Sequence, residues 1–356
     1  MCIVSYVEKN PSYRFAFIEY LRIVAFTSVL IGHLYFNDYL TIMNSINPSV
    51  SIPLVFTKSF FAGGGSGVVI FFLISGFVIS KAAGRESAKQ FATRRFLRIY
   101  PMLTVSLVAY LTYLFATQGS TPQKGEIFGS FTLLGDFIGA KNQLGGVEWS
   151  LRVEVLFYLT VFAFLLLSQG NNAFRFINLK LFLISISIIL FILPIFPSGS
   201  NTAVGYATIF APVFLGGIAL ALYDSQKIGY LLACYLVVLS FVAAVSAQTS
   251  IRPDTLWAGP ILLIGYVTFL ISYVFRHRFI SSKIVTLLAS YTYTVYLLHN
   301  WMIPYIEQTL VKWLNLSFVL FARLLALVLF FVIVHALVTL VEQPIIRRSR
   351  RVFAEN

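Results

Sequence analysis

The first apolar stretch carries an arginine and a histidine at a spacing that places both on one side of a helix. Arg22 and His33 are 11 residues apart, so they differ by only about 20° around a helix axis and by roughly 16 Å along it. Ionisable residues inside a membrane helix are costly and mark functional sites by default. This stripe predicts a polar seam, with His33 as a candidate base or nucleophile. The alternatives are a structural hydrogen bond for His33 and a pairing of Arg22 with Glu19, one turn earlier.

A second candidate lies in the segment Glu-Trp-Ser-Leu-Arg-Val-Glu at positions 148–154. On a helix, Glu148 and Arg152 are one turn apart and can satisfy each other, whereas Glu154 is turned about 200° from Arg152. Glu154 must then find its partner on another helix, and His33 lies at a similar predicted depth. A carboxylate beside an imidazole fixes its tautomer and makes it more basic. The alternative is a structural hydrogen bond that locks two helices together.

Basic and aromatic residues cluster before the third apolar stretch. Arg94, Arg95 and Arg98 precede Tyr100 and Pro101, where the third helix is expected to begin. Arg95 and Arg98 are one turn apart and can grip a phosphate together, since guanidinium groups bind phosphate in a bidentate fork. The alternative is an orientation signal or a contact with lipid head groups.

Two other features carry polar or flexible residues. His299 follows Tyr291, Tyr293 and Tyr296 and is expected to reach the same half of the bundle as His33, although an interfacial aromatic belt would give the same pattern. The run Gly-Gly-Gly-Ser-Gly at 63–67 could cradle a phosphate, but its expected side of the membrane favours a flexible start of a helix. His335 is assigned to helix packing.

The composition indicates whether these residues lie in a soluble protein or in a membrane. Of 356 residues, 58% are hydrophobic and 11% are charged, which a soluble domain of this length could not tolerate. The predicted fold class is therefore all-α, a polytopic membrane protein. Cys2 and Cys234 show neither disulfide nor metal-ligand spacing, so neither a disulfide framework nor a metal site is expected.

Ten stretches approach the roughly 20 apolar residues that cross a hydrocarbon core. The predicted spans are 15–36, 60–80, 99–117, 147–168, 179–196, 202–223, 228–247, 255–275, 284–306 and 316–341, in a single domain over 1–356. With this division, 18 Lys and Arg lie on the side of the termini and 5 on the other side. The positive-inside rule then predicts cytoplasmic termini. The basic excess thus orients helices, and a nucleic-acid partner is not expected.

These segments, in this order, resemble membrane acyltransferase family 3, the O-acyltransferases of bacterial polysaccharides. The likeness covers nearly the whole chain. It rests on six short segments: the arginine, ten-residue gap and histidine at 22–33; Phe-Phe-Leu-Ile-Ser-Gly-Phe at 71–77; Arg-Arg-Phe-Leu-Arg-Ile-Tyr-Pro at 94–101; Trp-Ser-Leu-Arg-Val-Glu at 149–154; Tyr-Leu-Leu-His at 296–299; and Glu-Gln-Pro at 342–344.

The resemblance implies transfer of an acyl group, usually acetyl, from cytoplasmic acyl-CoA to a hydroxyl on the far side of a bacterial inner membrane. It implies an essential His33, for which Glu154 is the expected catalytic partner. Donor-binding residues are expected at Arg22, Ser75, Arg94, Arg95, Arg98 and Tyr100. Residues that line the acceptor site are expected at Trp149, Ser150, Arg152 and His299. Many members carry a hydrolase-like domain after the last helix, whereas this chain is expected to be the stand-alone form, acting on a lipid-linked or surface polysaccharide.

Two other function classes remain open on the sequence alone. A transporter or flippase also uses intramembrane charges and many helices, although internal repeats of the kind common in transporters are not evident. A noncatalytic scaffold for glycan assembly would not require His33.

Overall fold

In a computed structural model of the chain, residues 16–46, 52–119, 121–168, 203–252, 258–314 and 319–352 are described. Every regular element within these ranges is a helix, as the all-α prediction requires. The predicted fifth span, 179–196, lies outside the described residues.

Seven helices among the described residues are long and apolar enough to cross a membrane: Ala16–Leu34, Phe56–Ala83, Ala88–Gln118, Glu148–Leu167, Gly205–Asp224, Tyr230–Ile251 and Leu320–Ser349. They correspond to seven of the ten predicted spans. A shorter apolar helix, Gly259–Val274, corresponds to the eighth. The predicted ninth span coincides with two helices, Lys283–Ser290 and Thr292–Leu314. The count of ten and the side of each terminus stay predictions.

The chain divides into two compact units. Unit 1 contains Met1–Ala88 and Val153–Ala289, and unit 2 contains Lys89–Arg152 and Ser290–Asn356. The described α-helices that begin in unit 1 are α1 (Ala16–Leu34), α2 (Phe36–Ile46), α3 (Ile52–Phe61), α4 (Gly65–Ala83), α5 (Ala88–Gln118), α8 (Ala203–Asp224), α9 (Tyr230–Ile251), α10 (Ala258–Val274) and α11 (Lys283–Ser290). Those that begin in unit 2 are α6 (Lys124–Thr132), α7 (Glu148–Leu167), α12 (Thr292–Leu314), α13 (Val319–Leu337) and α14 (Gln343–Val352). All but the first residue of α5 lies in unit 2, and α7 passes into unit 1 at Val153.

Glycines bring α4 into close contact with its neighbours in unit 1. A Cβ at Gly76 would lie 2.2 Å from the Phe214 carbonyl oxygen of α8, and one at Gly217 would lie 2.1 Å from the Leu73 carbonyl oxygen. A Cβ at Gly67 would lie 2.3 Å from the Ala25 carbonyl oxygen of α1. Small residues permit such approach, and packing of this kind holds helices together where lipid removes the hydrophobic driving force. α4 is therefore the central helix of unit 1.

The third helix begins earlier than predicted. α5 starts at Ala88 rather than near residue 99, so Pro101 lies inside the helix. Arg94, Arg95 and Arg98 consequently project from its second and third turns. The prediction was wrong because hydropathy detects only the apolar part of a helix, whereas the polar turns before it continue the same backbone hydrogen bonds.

The last long helix of unit 2 contains a wide turn. α13 continues into a π-helix, Val338–Glu342, which runs directly into α14. A π-turn inserts an extra residue, changes the direction of the side chains that follow and occurs frequently at functional sites. Here it places Glu342 in the protein interior, with 5% of its surface exposed.

Candidate active site

His33 lies in the last turn of α1, against a kink made of glycines. Gly63 and Gly64 have φ angles of +53° and +67°, which glycine adopts without steric cost. A Cβ at Gly32 would lie 2.1 Å from the Gly64 nitrogen and 2.4 Å from the Phe61 carbonyl oxygen. The backbone of α1 thus touches the backbone of the kink.

Hydrogen bonds add to this contact. The Ser28 hydroxyl, one turn before Gly32, donates to the Phe60 carbonyl oxygen at 2.7 Å. The His33 imidazole makes a hydrogen bond with the backbone of Gly63, while its side chain remains exposed. The glycine run predicted as a flexible start of a helix is instead a closely packed support for the candidate histidine.

Glu154 has two hydroxyl partners in unit 1. Ser75 Oγ donates to Glu154 Oε1 at 2.9 Å, and the Tyr158 hydroxyl, one turn later on α7, donates to the same oxygen. Ser75 therefore contacts the predicted catalytic carboxylate, and the donor contact expected for it stays a prediction. The sequence analysis missed Tyr158, although an aromatic hydroxyl four residues after a lone glutamate is a readable signal. The pairing of Glu154 with His33 stays a prediction.

The carboxylate of Glu19, the alternative partner of Arg22, is bound by hydroxyls of unit 1. Ser281 Oγ donates to Glu19 Oε2 at 2.6 Å, and Thr286 Oγ1 lies 3.2 Å from both oxygens. Arg22 is half-buried on α1. Hydroxyls thus hydrogen-bond both oxygens of Glu19, and the pairing of Arg22 with Glu19 stays a prediction.

In unit 2, two of the segments that carry the family resemblance are joined directly. The Ser150 hydroxyl of α7 and the Tyr296 hydroxyl of α12 lie 2.6 Å apart. His299 is fully buried, and its Nδ1 lies 3.1 and 2.9 Å from the carbonyl oxygens of Val295 and Tyr296. Since carbonyls only accept, Nδ1 carries a proton, and Nε2 is the nitrogen directed away from the helix backbone. An interfacial belt exposed to lipid does not describe this buried histidine.

The start of α7 is held by the loop that precedes it. Arg152, 1% exposed, donates from Nη2 to the Asn142 side chain, and a Cβ on Gly135 would lie 2.9 Å from that nitrogen. Glu148 Oε1 accepts from the Gln143 backbone at 3.0 Å. Glu148 and Arg152 thus both form hydrogen bonds with the loop. The expected i,i+4 pair between them stays a prediction. Trp149 lies between them in sequence and is half-buried.

The arginine cluster of α5 contacts the π-helix Val338–Glu342. Arg98 Nη1 lies 3.7 Å from Glu342 Oε1, and Thr294 Oγ1 donates to Glu342 Oε2 at 2.7 Å. The Tyr293 hydroxyl donates to the Ile99 carbonyl oxygen at 2.8 Å. These bonds bring three segments of unit 2 to one place.

The other basic and aromatic side chains of this cluster pack on rings. Arg95 lies over the Phe91 ring at 5.2 Å, and Tyr100 stacks on Phe96 with centroids 4.5 Å apart. Arg94, Arg95 and Arg98 are all half-buried. A half-buried arginine can pack along its stem while its end reaches the polar phase, which binding of a soluble anion requires.

Of the remaining histidines, His335 connects two helices as expected, because its Nδ1 lies 2.7 Å from the Tyr291 hydroxyl. Within the described ranges, His, Cys, Asp and Glu form no group of three or more that could hold a metal ion.

Comparisons with known proteins identify the family. Residues 15–340 match the model of acyltransferase family 3, described as an acyltransferase domain. The chain is also similar to nodulation protein 10 of Rhizobium leguminosarum bv. viciae, with 29% identity over 176 residues, covering 43% of this chain and 45% of that protein. The match thus spans less than half of the relative. No solved structure matches the chain. Because the family model covers most of the chain, this multi-pass membrane protein belongs to acyltransferase family 3.

Proposed function

We propose that the protein transfers an acyl group, with acetyl expected, from cytoplasmic acyl-CoA to a hydroxyl of an extracytoplasmic or lipid-linked glycan. Membership of an acyltransferase family carries the proposal. The position of His33 supports it, since an exposed imidazole fixed against the glycine kink is held in place and still reachable by a substrate.

In the direct route, His33 takes the proton of the acceptor hydroxyl while the hydroxyl oxygen attacks the thioester carbonyl. The carbon–sulfur bond breaks, and the CoA thiolate receives the proton. In the covalent route, the imidazole attacks the thioester first, releases CoA and then passes the acyl group to the hydroxyl. Glu154 supports either route as the proposed partner of His33, with Ser75 and Tyr158 fixing the carboxylate.

The donor is proposed to bind through its phosphates and its pantetheine arm. The ends of Arg94, Arg95 and Arg98 are the proposed phosphate contacts, because guanidinium groups bind phosphate in a bidentate fork. Arg22 is the proposed contact for the pantetheine arm, and Tyr100 packs beside the phosphate site. Trp149, Ser150, Arg152 and His299 are proposed to line the acceptor site.

The test uses purified full-length protein, acyl-labelled acyl-CoA and membranes that carry the native glycan. His33→Ala should insert normally and lose transfer by at least the roughly 10²- to 10⁴-fold typical of a positioned base. His277→Ala is the matched control, since His277 is an exposed histidine of unit 1 in the turn Arg276–Arg278. If inserted His33→Ala transfers at the parental rate, the catalytic assignment is wrong and His299 becomes the candidate.

A second arm separates the two routes. Labelled acyl-CoA is mixed with the parent protein without acceptor and quenched rapidly. Label on a peptide that contains His33 supports the covalent route, and its absence supports direct transfer. If the parent protein neither hydrolyses acyl-CoA nor transfers its acyl group, a transporter or scaffold replaces the enzyme.

A further inference from the structure

One end of unit 2 contains an aromatic cluster that the proposed reaction does not use. Trp301 of α12 stacks on Tyr113 of α5, with ring centroids 5.6 Å apart, and meets the edge of Tyr110 at 5.4 Å. Tyr113 also contacts Tyr305, one turn further along α12, at 4.6 Å. The rings pack on one another between the two helices.

This cluster differs from an aromatic belt that faces lipid. Trp301 is only 9% exposed, whereas Trp313, three turns later on the same helix, is 82% exposed. Tryptophan in a membrane interface keeps its indole N–H in contact with the polar phase. Trp301 therefore lies in the interior of unit 2, while Trp313 has the position of an interfacial anchor.

Trp301 Nε1 and Glu148 Oε2 are buried and have no hydrogen-bond partner among the residues that the structure describes. Glu148 is fully buried, and its carboxylate lies close enough to the Tyr110 hydroxyl to interact electrostatically. Leaving such groups unpaired costs free energy, so each calls for an explanation.

A hydrogen bond between their chain neighbours places both groups at the same end of unit 2. Asn300, the neighbour of Trp301, donates from its side chain to the Gly145 carbonyl oxygen at 2.5 Å. Gly145 lies three residues before Glu148, in the loop that leads into α7. A side-chain amide thus ties the helix of Trp301 to the segment of Glu148.

The chemistry of the two atoms selects the ligand. An indole N–H needs an acceptor, whereas a carboxylate oxygen needs a donor. A hydroxyl supplies both, an ammonium group only donates and a carboxylate or phosphate only accepts. Together with aromatic surface, which packs against C–H groups, this combination fits a neutral sugar.

We propose that Glu148 and Trp301, with the rings of Tyr110 and Tyr113, bind a neutral sugar ring of the acceptor; this assignment rests on the glycan acylation proposed above. Glu148 accepts a hydrogen bond from one sugar hydroxyl, and Trp301 donates one to a sugar oxygen. Neither residue takes part in the transfer of the acyl group.

The test measures binding of simple sugars to the full-length protein in lipid nanodiscs, which avoid glycoside detergents. The probes are the methyl glycosides of glucose, galactose, mannose and N-acetylglucosamine, with choline as a cationic control. Saturation-transfer difference NMR gives each Kd. At least one glycoside should bind saturably and choline should not, whereas saturable choline binding without glycoside binding overturns the proposal.

Variants assign the binding to the cluster. Glu148→Gln, which keeps the side-chain shape, should weaken the glycoside about tenfold or more, as expected for loss of a bond to a charged group. Trp301→Phe keeps a ring, removes the N–H and should also weaken binding. Trp313→Phe is the matched control and should bind as the parent does. Parental affinity in both Glu148→Gln and a folded Trp301→Phe, or no saturable glycoside, overturns the assignment.

A parallel acyl-CoA titration of the parent separates this failure from failure of the proposed function. Glycoside binding without acyl-CoA binding would leave the sugar site standing and remove the acyltransferase proposal. Acyl-CoA binding and hydrolysis without glycoside binding would remove the sugar site alone.

Discussion

The Ser75 hydroxyl of α4 donates a 2.9 Å hydrogen bond to the carboxylate of Glu154 on α7. Both residues belong to unit 1, and they connect two segments that resemble family motifs. A hydroxyl that holds one carboxylate oxygen limits the rotation of that side chain. Ser75 is therefore a positioning residue for Glu154 in the proposed reaction.

Ser75→Ala should lower kcat because it removes one hydrogen bond to a charged group, roughly 1.5–3 kcal/mol, which corresponds to a factor of about ten to a hundred. Ser75→Thr keeps a hydroxyl and should recover part of the rate. Ser80→Ala is the control, since Ser80 lies on the same helix and donates to the Gly76 carbonyl oxygen within that helix. Steady-state transfer kinetics decide whether Ser75 positions Glu154 or contacts the donor. If Ser75→Ala raises KM for acyl-CoA with kcat unchanged, Ser75 contacts the donor instead.

Arg98→Ala should weaken acyl-CoA binding by roughly ten- to a hundredfold, because one charge-assisted contact to phosphate is lost. The loss should vanish with acyl-pantetheine, which carries no phosphate. Arg347→Ala removes the same charge from an exposed position, where the side chain bonds to Gln343, and should bind both donors as the parent does. Equal losses for both donors would mean that Arg98 does not contact phosphate.

Stability must be separated from binding in this variant, because Arg98→Ala also leaves the buried Glu342 carboxylate without its cation. The double variant Arg98→Ala/Glu342→Gln removes that charge. It should recover thermal stability relative to Arg98→Ala and still bind acyl-CoA weakly. Recovery of donor binding in the double variant would show that Arg98 acts only through the fold.

Gly32→Ala should destabilise unit 1 and displace His33, since its Cβ would overlap backbone atoms of Gly64 and Phe61. Overpacking of this kind costs about 1–3 kcal/mol. The same substitution at Gly259, near the start of α10, meets nothing within 4 Å and should be neutral or stabilising by up to ~1 kcal/mol. Thermal unfolding and transfer activity are measured for both; a Gly32→Ala protein as stable and active as the parent contradicts the close packing.

Orientation is tested by cysteine labelling in a variant without Cys2 and Cys234. Lys141→Cys and Arg278→Cys introduce thiols at exposed positions that the positive-inside rule assigns to opposite sides. A membrane-impermeant maleimide should label Lys141→Cys in intact cells and Arg278→Cys only after permeabilisation. The reverse pattern would invert the orientation, and labelling of both in intact cells would refute the predicted loops.

Hydropathy by itself determined the all-helical membrane class and seven of the apolar helices, and the resemblance of six short segments to family motifs indicated the family. They succeed because crossing a hydrocarbon core imposes a local length requirement, and because short segments keep their order along the chain. The same local reading misplaced the start of α5, where polar turns precede the apolar ones, and it interpreted the glycine run as flexible.

Tertiary structure alone decided which side chains meet. Ser75 and Glu154 are 79 residues apart, Thr294 and Glu342 are 48 residues apart, and Ser150 and Tyr296 are 146 residues apart, so no helical periodicity relates them. Only the tertiary structure shows that the kink at Gly63 and Gly64 packs against the backbone of Gly32. A carboxylate or hydroxyl in an apolar segment signals that it needs a partner, because burial without one is costly. Which partner it finds depends on how distant helices pack, and that is set by the whole fold.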